Sequence, residues 1–170
     1  NSHKKLKNQT NKCTMRFSLL IGFAIVCCVS SCDQAQLFEK NVDIAPEGWH
    51  KDTVLRFEPL VTDTLSAYNV YINFRHRGKY PYMNIIFFVT ISSPTGQQRI
   101  DTVEYFIAAN DGRWLGIGFN DVYSHQLVYK KNIRFPRSGE YCISLQQAMR
   151  MDILPFVHDA GIRIEKVITP

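Results

Sequence analysis

Beyond Cys32 the 170-residue chain has one cysteine, Cys142, so no intramolecular disulfide can form there. No acidic residue precedes Asp33. No apolar run approaches the roughly 20 residues that a membrane-spanning helix needs. The longest, Phe17 to Val29, has thirteen. No serine sits in a Gly-x-Ser-x-Gly turn, which removes the α/β-hydrolase nucleophile. Internal repeats and low-complexity tracts are absent as well.

The second of these absences gives the charge its meaning. The chain carries 20 Lys and Arg against 15 Asp and Glu, for a net +5. Five of the basic residues, Lys4, Lys5, Lys7, Lys12 and Arg16, lie before Cys32 with no acidic residue among them. Cys32 to Pro170 is therefore neutral. The basic pI of about 9.0 belongs to the leader and argues for neither nucleic acid nor anionic lipid.

A basic stretch, a thirteen-residue apolar stretch and Val29-Ser30-Ser31-Cys32 read together as a bacterial lipoprotein signal. The small serines admit a peptidase to the bond before Cys32, whose thiol takes the lipid. Residues 1–31 are then the signal, with 1–14 an upstream extension if Met15 is the start. Residues 32–36 form a lipidated tether and 37–170 a folded domain. One acyl chain holds a protein only weakly, so stable anchoring requires more than one. Diacylglycerol and an acyl chain on Cys32 are the only expected adducts; no other cofactor is implied.

From Leu37 onward the apolar period is two. Tyr68, Val70, Ile72 and Phe74 alternate with Asn69, Tyr71, Asn73 and Arg75. Asn84 to Ser92 is almost continuously apolar, the pattern of a strand buried on both faces. Further strands are expected at Leu37 to Ile44, Thr53 to Leu60, Thr102 to Ala108, Val122 to Phe135, Glu140 to Leu145 and Ile162 to Val167. Turn residues such as Ser93-Pro94-Thr95-Gly96 and Asn110-Asp111-Gly112 separate them. Gln146 to Leu154 is the one candidate helical turn. The pattern predicts an all-β, antiparallel, jelly-roll-like β-sandwich.

No residue set has the mark of a catalytic site, and the protein is expected not to be an enzyme. Arg113-Trp114, between glycines, offers a planar cation beside a flat apolar face. It suits a sugar ring or a protein partner, or simply a turn whose Trp closes one end of the core. Arg150 and Asp152 either pair with each other or present charge to a partner. Tyr80, Tyr82 and Tyr68 to Tyr71 form an aromatic patch near Arg75, Arg77 and Lys79. His50, His76, His125 and His158 are scattered, none spaced as a metal pair, so no metal is expected. Asp101 and Glu104 suit a shared strand edge. Cys142 reads as a small buried hydrophobe.

These residues in this order resemble the gliding motility-associated lipoprotein family GldH. The likeness rests on Ser30-Ser31-Cys32-Asp33, Trp49, Tyr82-Met83-Asn84-Ile85-Ile86-Phe87-Phe88 and Gly112-Arg113-Trp114-Leu115-Gly116. It continues through Lys130 to Pro136, Gly139-Glu140-Tyr141, Gln147-Ala148-Met149-Arg150 and Gly161 to Lys166. The resemblance implies a non-enzymatic envelope lipoprotein of a Gram-negative bacterium, linked to gliding and to type IX secretion. It implies envelope-protein partners as well as the membrane, and transfers one residue role, lipidation of Cys32. Gln34-Ala35-Gln36 after Asp33 contains no acidic cluster, which favours the periplasmic face of the outer membrane. Glycan binding is the alternative. Arg113, Trp114, Arg150 and Asp152 are the candidate contact residues.

Overall fold

The computed structural model describes residues 35–168. The signal residues and Cys32 lie outside the described residues. The described chain is all β, with no helix among them. Its strands are β1 (Gln36–Asp43), β2 (Trp49–His50), β3 (Leu55–Phe57), β4 (Leu60–Val61), β5 (Tyr68–Arg77), β6 (Asn84–Ser92) and β7 (Gln98–Phe106). They continue with β8 (Ile117–Phe119), β9 (Val122–Ile133), β10 (Gly139–Glu140), β11 (Cys142–Gln147), β12 (Ile153–Leu154) and β13 (Val157–Lys166).

Two antiparallel sheets form a sandwich. One has the order β1-β13-β5-β9-β8 and the other β3-β11-β6-β7, with two short strand pairs, β10-β4 and β12-β2, beside them. Alternation explains the layering, because successive side chains point to opposite faces. On β5, Tyr68, Val70, Ile72, Phe74 and His76 are buried; on β6, Ile85, Phe87 and Val89; on β11, Ile143 and Leu145. These faces meet around Trp49, Phe57, Phe74 and Phe87, whose rings contact at 5.7–6.0 Å where Phe87 touches Phe74 and Trp49.

Three expectations change. β6 is buried on one face only: Phe88 is 43% exposed, and its outward partners are half-buried. A run of apolar residues cannot show whether a second layer covers it, and among the described residues none does. The helical turn at Gln146 to Leu154 is instead the end of β11, a loop and β12. Gln147 causes this. Its buried amide accepts from Met149 N–H at 2.8 Å and donates to the Met151 carbonyl at 3.0 Å, replacing helical bonds. Cys142 is half-buried, not buried.

The strand ends define two poles. Ala35 lies at one, where its carbonyl accepts from Lys166 N–H at 2.7 Å. Nearby, Asp63 caps its own turn through Ser66 and binds Lys166 Nζ at 2.9 Å. At the opposite pole lie the ends of β1 and β11, the 78–83 connection, the 107–121 segment and the 148–156 loop. Seven steps along β1 separate the poles by about 23 Å.

Candidate functional site

The four residues singled out in the sequence all come to the pole opposite Ala35, in two separate pairs. Arg113 is exposed, with Nε 4.0 Å from Asp111 Oδ2; Asp111 Oδ1 also accepts from Arg113 N–H at 3.0 Å. Trp114 is half-buried. Its backbone bridges to Ala108. Its ring meets His76 edge-on at 4.4 Å and approaches Tyr123 at 5.9 Å and Tyr80 at 6.2 Å. Trp114 thus closes one end of the core. Arg150 is exposed on the other loop. Asp152 pairs not with Arg150 but with Lys51, at 2.6 Å, fixing the 148–152 loop to the β2–β3 turn.

The aromatic patch divides in the same way. Tyr68 and Tyr80 are core residues, 2% and 4% exposed. Burial raises the Tyr80 phenol well above its ordinary pKa, and its hydroxyl donates to the Asn84 carbonyl at 3.1 Å. The Tyr80 plane is tilted 64° to Trp114 and 73° to Tyr82. These rings do not form an exposed, coplanar platform for a sugar.

Asp101 and Glu104 lie on opposite faces of β7, as their odd spacing requires. Asp101 accepts from Tyr129 at 2.7 Å and Lys130 at 2.9 Å. The Lys130 contact is the main reason its carboxyl is held down to about 2. Glu104 accepts from Asn84. They make no catalytic pair.

Sequence spacing missed three groupings that only strand register creates. His76 and His125 meet inside the sandwich, Nε2 to Nε2 at 3.1 Å. Asp43, His158 and Asp159 gather where β1 meets β13. The third is apolar and exposed. Ile117 and Phe119 on β8 are 83% and 79% exposed. A tight turn at Asn120, with φ of 53°, folds β8 against β9. Tyr123 packs over Gly118 on one face of this hairpin, leaving Ile117 and Phe119 on the other. β8 ends its sheet, so its second edge has no strand partner among the described residues.

The model of the GldH lipoprotein family matches residues 36–164. The gliding motility lipoprotein GldH homolog of Christiangramia forsetii is 38% identical over 157 residues, covering 88% of this chain and 96% of that protein. The gliding motility lipoprotein GldH of Flavobacterium johnsoniae is 34% identical over 143 residues, covering 80% and 88%. Among solved structures, the T13 IBDV viral particle aligns with 79% of this chain and 32% of its own, at 12% identity and a TM-score of 0.32. That likeness carries no functional argument.

Proposed function

The chain belongs to the GldH lipoprotein family, and on that premise we propose that it is a non-enzymatic envelope lipoprotein acting by protein–protein interaction. Lipid on Cys32 holds it at the outer membrane of a Gram-negative cell, facing the periplasm. Its partners are envelope proteins of the gliding and type IX secretion machinery. Cys32 precedes Ala35 by three residues, a reach of at most about 11 Å. The Ala35 pole is then the membrane-proximal one, and the opposite pole faces the partners. Anchoring raises the local concentration of the domain near other membrane proteins, which strengthens a weak contact without adding new ones.

The observation that carries this reading is the exposed apolar hairpin at the far pole. Ile117 and Phe119 stand in solvent on β8, which ends its sheet among the described residues. Exposed apolar clusters of this kind mark contact surfaces, and a free edge accepts another strand. Arg113 and Arg150 lie at the same pole and supply polar rim contacts. The glycan-binding alternative rested on Trp114, Tyr80 and Tyr82, whose burial and tilt remove the stacking platform.

The test is an Ile117→Asp/Phe119→Asp double variant in a gliding bacterium that lacks its own copy. Normal membrane levels with lost colony spreading are expected. Full restoration of spreading would remove the hairpin from the account.

A further inference from the structure

Asp43 on β1 and Asp159 on β13 stand directly opposite each other in the antiparallel register. Like charges so placed destabilise a strand pair unless something compensates them. His158 completes the group: one ligand atom from each of the three residues lies within 4.8 Å of the others.

Asp159 is fully buried. Its Oδ2 is crowded, with His158 Nδ1 and Arg75 Nε each 2.6 Å away. Its Oδ1 has no hydrogen-bond partner among the described residues. Arg75 Nε has none either, since its approach to Oδ2 is a charge contact outside hydrogen-bond geometry. Buried polar atoms are nearly always satisfied by protein, water or an ion. A cavity of about 420 Å³, lined by Asp43, Arg77, Phe156 and His158 among others, adjoins the group.

We propose that Asp43, His158 and Asp159 bind one divalent transition-metal ion of the zinc type. An imidazole with carboxylates is a donor set that zinc accepts; calcium and magnesium prefer all-oxygen shells. Oδ1 of Asp159 is the oxygen free to take the ion. Zinc bonds of about 2.0–2.2 Å place tetrahedral ligand atoms about 3.4 Å apart, so the cluster contracts slightly. Asp43 is exposed and can swing inward. The two carboxylates face two guanidinium groups, Arg75 at 2.6 Å from Asp159 and Arg77 in the cavity wall. The ion ties the far end of β1 to β13, and a fourth position stays open to solvent. The site shares no residue with the docking hairpin, and either proposal can fail alone.

The experiment is isothermal titration of the metal-free, detergent-solubilised full chain with zinc chloride, with Tm measured with and without zinc. One zinc per chain and a raised Tm are expected. Asp43→Asn, an exposed change that leaves the core intact, should weaken binding about tenfold or more, and His158→Gln likewise. No binding would overturn the site, as would zinc binding that both variants leave unchanged.

Discussion

His76 and His125 are diagonal neighbours across the β5–β9 pair, with Nε2 atoms 3.1 Å apart. His76 Nδ1 lies 2.9 Å from the Arg77 carbonyl, so this nitrogen carries a proton and donates it. In the neutral pair, His76 Nε2 then accepts, and His125 Nε2–H donates. Trp114, Tyr80 and Tyr123 surround the His76 ring.

That pairing predicts acid sensitivity. Burial, with a smaller contribution from His76, lowers His125 to about 4; burial also lowers His76. An unfolded histidine takes a proton near 6.5. The unfolded state therefore binds protons first as pH falls. The stabilising effect of keeping His125 neutral is complete above about 6.5 and is lost progressively as pH drops through about 4. Urea denaturation across this window should show falling stability, with a shallower slope in His125→Gln. An unchanged slope would remove His125 as the cause.

Gly161 is needed for the β1–β13 contact. A Cβ there would collide with the Lys40 carbonyl oxygen and with Asn41 Oδ1. The backbone oxygen cannot move without opening the strand pair. Gly161→Ala should cost about 1–3 kcal/mol, read by denaturation, with amide exchange rising along Gln36–Asp43.

Trp114 and Phe119 should separate structure from recognition. Trp114→Ala removes half-buried contacts with His76 and Tyr123 and should cost about 1.5–3 kcal/mol, less than a fully buried Trp. Phe119→Ser touches only an exposed ring and should stay within about 0.5 kcal/mol. Thermal melts of the two proteins check this. A stable Trp114→Ala protein would show that Trp114 does not close the core.

Gln147→Ala strips two partners from the 148–152 loop. The Met149 N–H and Met151 carbonyl lose their bonds. A loss of about 1–3 kcal/mol is expected, together with higher amide exchange in that loop. No change in either would show that Lys51–Asp152 suffices to hold it.

The strands were legible where burial is one-sided. β5 and β13 show in their alternation, and Asn84–Ser92 has the bounds the sequence suggested. The face of β6 left to solvent was not legible, because Phe88 and Phe87 read alike in a linear pattern. Asp152 was not readable as the partner of Lys51, which lies far away in sequence. The same holds for His76 with His125 and for Asp43 with Asp159: each is a product of register. Turn residues marked the 107–121 segment, but nothing local showed that Trp114 turns inward while Ile117 and Phe119 turn outward.

The most direct test of the docking account is photocrosslinking in living cells from two single positions. One is Phe119, on the far hairpin. The other is Thr95, exposed in the β6–β7 turn at the Ala35 pole. The account predicts crosslinks from position 119 to proteins of the motility or secretion apparatus and none from position 95. Crosslinks from position 95 alone, or none from 119 at normal protein levels, would contradict it.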